Sequence, residues 1–252
     1  QLEKTVVSLD EITIEGSRVN QNSPFVHVNI DKKEIESSNL GQDMAFLLQS
    51  TPSIVSTSDA GAGVGYTGFR IRGSDATRIN VTVNGIPMND AESHGVFWVN
   101  MPDLASSTES IQIQRGVGSS TNGTAAFGAS VNLKTDLVSK KAYGEVSSSY
   151  GSFNTNKNTL KLGTGLLNKH WALDGRLSSI TSDGYIDRAS SDLSSYYLSG
   201  GYYGKKTVVK AITFAGKEKT YQSWYGVDES KVNGPGRTDN YYTYDNEVDN
   251  YN

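Results

Sequence analysis

The sequence predicts a β-rich chain in two parts. The first is an α+β unit, a small mixed sheet with short helices, and the second is a succession of antiparallel strands. Two observations carry this. Between Phe69 and Thr135, four short β-branched runs are each cut off by glycine, asparagine or proline: Phe69-Arg70-Ile71-Arg72, Asn80-Val81-Thr82-Val83, Ile111-Gln112-Ile113-Gln114-Arg115 and Ala129 to Thr135. After about Asp136 the texture changes to strict alternation, as in Leu160, Leu162, Thr164 and Leu166 against Lys161, Gly163 and Gly165. The domain boundaries expected are a leader over 1–20, the α+β unit over 21–136 and the alternating strands over 137–252.

Composition narrows the function classes. With 252 residues the chain holds one large domain or two small ones. A net charge of −4 lacks the basic face that a nucleic-acid binder needs, so no nucleic-acid partner is expected. The absence of cysteine removes disulfides and thiolate metal sites, and no cofactor is expected. Twenty-six glycines and 14 tyrosines suit many turns and aromatic interfaces. No run of about 18 apolar residues is present, so a membrane could be crossed only by barrel strands. The chain opens at Gln1 without methionine or signal peptide, which reads as processing or trimming.

In order along the chain, Leu9 to Gly16 is an alternating strand in a polar leader, suited to joining a partner's sheet edge or to opening the first domain. A strand follows over Phe25–Ile30, and Asp31 is placed to cap a single helical turn over Lys32–Ile35. Asn39 to Gln49 reads as a helix with Met44, Leu47 and Leu48 on its core face, stopped by Pro52. Ser56 to Gly68 is a glycine-rich loop. It lacks the preceding strand and following helix of a dinucleotide turn, and suits a loop facing ligand or solvent. Met88 to Asn100 gathers Asp90, Glu92, His94, Phe97 and Trp98, acids and aromatics suited to recognition. Three such ligands in one loop, without a second cluster, are weak grounds for a metal, and none is expected. Met101 to Ser107 is a short helical turn with Pro102 early and Asp103 near its start.

Arg70 and Arg72 fall on one side of an alternating strand, and Arg115 ends another. Cations beside glycines on a small sheet gain little unless an outer wall supplies carboxylates. Beyond Asp136, Trp171, Leu173 and Leu177 alternate with Ala172, Asp174, Arg176 and Ser178. Short turns at Asn168-Lys169 and Lys205-Lys206 oppose longer connections at Gly151–Asn154, Ser182–Ser195 and past Gly216. Trp171, Tyr196, Tyr202 and Tyr203 would form aromatic girdles, with Tyr197 on the other side. The strand Thr207–Ala215 is ambiguous, because Lys210 shares a face with Val208, Ile212 and Phe214. Taken alone, this alternation fits a soluble sandwich as well as a membrane barrel.

The order Ile71-Arg72-Gly73, Asn84-Gly85-Ile86-Pro87 and Ile111 to Gly116, followed by Ser130-Val131-Asn132-Leu133-Lys134-Thr135, resembles the plug domain of TonB-dependent outer-membrane transporters. The resemblance covers residues 9–136 well and the remainder only in style. It implies an α+β plug followed by the start of a roughly 22-stranded antiparallel transmembrane β-barrel in the bacterial outer membrane. About five strands fit before Asn252, so the chain reads as the N-terminal part of a longer protein. Asp10, Glu11, Ile12, Thr13 and Ile14 resemble the segment that couples to the inner-membrane TonB complex. The family pairs plug arginines with barrel glutamates, which assigns Arg72 and Arg115 a locking role.

The implied function is active import of a scarce solute rather than catalysis, with a ferric siderophore or other chelate first and ligand contacts at Asp90, Glu92, His94, Phe97 and Trp98. A glycan, peptide, haem or cobalamin, taken with a surface lipoprotein, is the alternative cargo. A binding or adhesion module without transport is the rival class; it requires residues 9–16 to be dispensable and 142–215 to be soluble without detergent. No nucleophile elbow or metal-ligand pair at helical spacing supports an enzyme.

Overall fold

The computed structural model describes residues 18–19, 24–117, 127–204 and 206–241. Two sheets dominate. The first unit starts with β1 (His27–Asp31) and α1 (Lys32–Ser38), where the Asp31 carboxylate accepts the Glu34 N–H at 3.0 Å. The expected cap is therefore present, and the helix runs beyond one turn to Ser38. The helix expected over Asn39–Gln49 shrinks to α2 (Met44–Leu47), prolonged by a 3-10 turn at Leu48–Ser50. Its first residues are drawn elsewhere: the Asn39 side chain donates to Asp103 at 3.2 Å and to Ser106 at 2.9 Å.

The remaining strands of this unit are β2 (Ile54–Ser58), β3 (Thr67–Ile71), β4 (Ile79–Val83), β5 (Ile86–Pro87), β6 (Thr108–Arg115) and β7 (Ala129–Thr135). β1, β6, β7, β4 and β5 lie side by side in that order, with β4 and β7 parallel and the other neighbours antiparallel, so the sheet is mixed. The run at Phe69 is the exception among the four expected strands. It belongs to β3, which pairs with β2 in a separate hairpin, so both ends of the expected loop 56–68 are strand. Arg72 lies beyond that strand at φ 51°, so the two arginines do not share one alternating strand.

Alternation gives the five-stranded sheet two unlike faces. Ile79, Val81, Ile111, Ile113, Val131 and Leu133 pack into a core with Leu48, Ile71 and Trp98. Asn80, Thr82, Gln112, Gln114, Ser130 and Asn132 project oppositely and are buried as well, which demands hydrogen-bond partners.

The second sheet holds β8 (Tyr143–Tyr150), β9 (Asn156–Gly163), β10 (Trp171–Ser182), β11 (Ser191–Tyr203) and β12 (Val208–Thr220), each paired antiparallel to its sequence neighbour. Its burial is inverted relative to a water-soluble sheet. Arg176 is 4% exposed while Leu177 beside it is 60% exposed. Lys157, Thr159, Lys161 and Ser178 are buried, and Leu160, Leu162, Trp171, Leu173 and Leu198 are exposed. Apolar side chains outside and cations inside suit a wall between lipid and an enclosed plug, not a sandwich.

The turns match that orientation. Residues 164–170 and 204–207 close one end, and 151–155 and 183–190 close the other. The connection expected over Ser182–Ser195 is shorter, because β11 begins at Ser191, and β12 continues past Gly216 to Thr220. Trp171 and Tyr202 pair across strands with ring centroids 4.9 Å apart. Tyr203 departs from the expected girdle. It shares the inner face with Tyr197, because six residues along a strand return to the same side. Lys210 also faces inward, donating to Asp136 O at 3.2 Å, which resolves the ambiguous strand.

Candidate functional site: the seam between plug and barrel

The two sheets meet at a buried carboxylate. Asp103 opens the 3-10 turn Leu104–Ser107 in a left-handed conformation, φ 54°. That kink pushes its side chain against the inner face of β9 and β10. Lys157 Nζ lies 2.8 Å from Oδ1, and Arg176 Nη1 lies 3.1 Å from Oδ2. Thr159 donates to Oδ2 at 2.9 Å and Ser106 to Oδ1 at 2.6 Å; Ser178 also donates to Oδ2. Arg176 further donates to the Asp103 carbonyl, and Ser195 donates to the Pro102 carbonyl at 2.7 Å.

Burial alone would push the Asp103 carboxyl up, but the adjacent Lys157 and Arg176 hold it well below the usual carboxylate range. All three charged side chains are at most 4% exposed. Water is thus replaced by partners on both oxygens, the condition under which a buried ion cluster is tolerable. Gly216 completes the fit: a Cβ there would collide with the Pro102 ring, so β12 can lie against this turn only without a side chain.

A second junction lies at the end bearing the 183–190 loop. The plug loop between β2 and β3 presents the Ala60 carbonyl to the N–H groups of Tyr185 at 2.7 Å and Ile186 at 3.2 Å. Gly61, at φ 72°, lies against the Tyr185 side chain, where a Cβ would stand 2.9 Å from the Tyr185 Cβ and 3.0 Å from the ring. Tyr66 at the loop's end meets Trp224 edge-on at 5.8 Å, and Trp224 is half exposed. Beneath the loop, burial pushes the Asp43 carboxyl up to about 7, despite bonds from Thr67 (3.0 Å) and the Gly65 N–H.

The expected recognition residues do not form one site. Asp90, Glu92 and His94 share a tight exposed turn, where Asp90 Oδ1 accepts the N–H of Glu92 at 3.0 Å and of Ser93 at 2.7 Å. Those bonds hold the Asp90 carboxyl below its ordinary value. Phe97 is 49% exposed. Trp98, by contrast, is a core residue, 4% exposed and packed on Phe69 with ring centroids 5.7 Å apart, so it is withdrawn from ligand contact. Among the described residues no group of three His, Cys, Asp or Glu could hold a metal.

Arg115 donates to Pro52 O at 3.2 Å, and Arg72 is exposed beside Gly116. Among the described residues neither arginine meets a carboxylate; the ionic contact observed has the opposite polarity, a plug acid between two barrel cations. Asp10 to Ile14 lie outside the described residues. Linear reading places Arg176 on the polar face of its strand but takes Asp103 only as a helix start. Nothing local to Asp103 announces partners 54 and 73 residues away.

Residues 19–130 match the model of the TonB-dependent Receptor Plug Domain. No curated protein matches the chain in sequence. Among solved structures, the siderophore receptor PirA from Acinetobacter baumannii superposes with a TM-score of 0.62 at 18% identity, over 78% of this chain and 32% of its own. The ferric yersiniabactin uptake receptor FyuA from Yersinia pestis gives 0.62 at 13% identity, over 80% and 32%. The copper transporter OprC gives 0.64 at 15%, over 79% and 31%. The chain thus spans about a third of the length of these structures. Residues 19–130 thus belong to the plug-domain family of TonB-dependent receptors, and the strands that follow, whose apolar side faces outward and whose inner face is joined to the plug by a buried ionic seam, have the fold of the first barrel strands of the outer-membrane receptors above.

Proposed function

We propose that the receptor to which this chain belongs imports a scarce solute actively across the outer membrane, with energy supplied through TonB. One observation carries the reading: the inner face of the barrel strands is filled by the plug and closed by the Asp103–Lys157–Arg176 cluster. A solute cannot pass there by diffusion. Separating one partner from such a cluster leaves buried charge uncompensated, at about 3–5 kcal/mol in comparable cases. Work must come from outside the seam, and a leader drawn from the periplasmic side is a means of delivering it. The leader carrying Asp10, Glu11, Ile12, Thr13 and Ile14 would add to TonB as an extended strand.

Ligand would be met by the plug loop 59–66, the turn of Asp90, Glu92 and His94, and Phe97, with the half-exposed Trp224 beside Tyr66. A ferric chelate is the preferred cargo, since siderophore and ferric-chelate receptors share the fold; the copper transporter with the same fold makes cargo a question for direct measurement. Ile14→Pro in the intact receptor is expected to abolish uptake and leave surface binding of the ferric chelate unchanged, measured with radiolabelled iron in whole cells. Undiminished uptake would defeat the coupling role. An affinity panel of ferric chelates, haem, cobalamin, glycans and peptides, with and without the surface lipoprotein, identifies the cargo.

A further inference from the structure

The plug loop over residues 59–66 is fastened on two sides. Toward the barrel, the Ala60 carbonyl accepts the N–H groups of Tyr185 and Ile186, and Val64 is fully buried against Val99, Ile180 and Leu193. Ile180 and Leu193 stand on β10 and β11, so the loop is pressed on the inner wall. Gly65, at φ 90°, runs so near β11 that a Cβ would lie 2.7 Å from Ser191 Oγ. Toward the plug, the loop lies over Asp43. The Asp43 N–H donates to Gly63 O at 2.8 Å. Its carboxylate, in a residue 4% exposed, accepts from the Gly65 N–H and, at Oδ2, from Thr67 on β3. The charged groups that act on it are acids, Glu218 on β12 and Asp103, while Lys157 and Arg176 are engaged by Asp103. Among the described residues no cation pairs with Asp43.

We propose that Asp43 is a proton-operated latch: the loop over residues 59–66 stays seated on the barrel wall while the carboxyl keeps its proton, and lifts when the proton is lost. An ionised carboxylate under the seated loop has neither water nor a cation to replace it, which makes the charged form costly there. Lifting the loop admits water and removes that cost, so loss of the proton and release of the loop favour each other. The loop is the part that yields, because Asp43 leads directly into α2, whose Met44, Ala45 and Leu47 are set in the plug core. The latch stands on this geometry; only its use in capturing ligand rests on the ligand contacts proposed above.

Hydrogen exchange of the Tyr185 and Ile186 amides, which donate to Ala60 O, reports the seating of the loop in the intact receptor without ligand or TonB. Protection factors, corrected for the intrinsic effect of pH on exchange, are expected to be about thirtyfold greater at pH 5.5 than at pH 8.5. That is the ratio given by a carboxyl at about 7 when covered and at its ordinary 3.8 when hydrated. Asp43→Asn, which cannot ionise, should keep high protection at both pH values. Thr67→Val removes a donor to the carboxylate and should move the midpoint to higher pH. The Asp187 amide, which donates to Thr238 O and not to the plug, should be unchanged. Wild-type protection of Tyr185 and Ile186 independent of pH, or a pH dependence that persists in Asp43→Asn or keeps its midpoint in Thr67→Val, overturns the proposal. Equal loss at Asp187 overturns it too, because the barrel turn itself would then be opening. No ligand or uptake enters these readings, so failure of the transport function would not be mistaken for failure of the latch.

Discussion

Asp103 and Asp43 are both buried plug carboxylates, and their surroundings drive them in opposite directions. Asp103 sits between Lys157 and Arg176, so its folded-state value is depressed. Its contribution to stability is complete above the unfolded carboxylate range and is lost only as pH falls through the lowered value. The seam should therefore survive mild acid. Asp103→Ala, which leaves two cations buried without their partner, is expected to cost about 3–5 kcal/mol in urea unfolding of the plug. Asp43 is raised to about 7, chiefly by burial without a cation beside it and to a lesser degree by the charges of Glu218 and Asp103. The folded state then holds a proton that the unfolded state releases, so stability declines as pH rises from about 4 to about 7. Asp43→Asn should abolish that slope and raise the melting temperature at pH 8 while changing little at pH 4. A melting series across this range, wild type against variant, checks the sign.

β9 and β10 show how far an alternating strand can be read and where the reading stops. Period-two patterning separates Leu160, Leu162, Leu173 and Leu177 from Lys157, Lys161 and Arg176, and the structure keeps those sets on opposite faces. Pattern alone cannot say which face meets solvent; the plug decides it by covering the cations. Leu177→Lys, near the middle of β10, is expected to destabilise membrane insertion by about 2–4 kcal/mol. Ser179→Lys, nearer the strand end on the same outer face, should cost less; comparison of folding into lipid vesicles measures both. At the opposite extreme, Gly216→Leu places a side chain against Pro102 and should loosen the plug without unfolding the strands. Protease sensitivity of residues 98–104, increased over the wild type, would register it. Short elements were less legible. The helix at 39–49 lost its first turn because Asn39 was recruited to the seam, and the Phe69 strand left the main sheet for its own hairpin.

At the scale of the whole molecule, the plug and the strands explain each other. Five strands with apolar outer faces and buried inner cations need both lipid and a polar filling, and the plug's polar turn supplies the latter. Residues 142–215 expressed alone are therefore expected to sediment as aggregate in buffer and to disperse only in detergent; a soluble monomer in sedimentation analysis would argue for the adhesion class instead. By itself the sequence determined the class of each half, several of the strands and the family resemblance, because periodicity, turn residues and local motifs are written within a few residues of one another. It did not determine the seam, the burial of Trp98 or the inward Tyr203. Those depend on which surfaces meet after both sheets form. A carboxylate at 103 acquires its partners, and its charge state, only when the chain brings residues 157 and 176 around it.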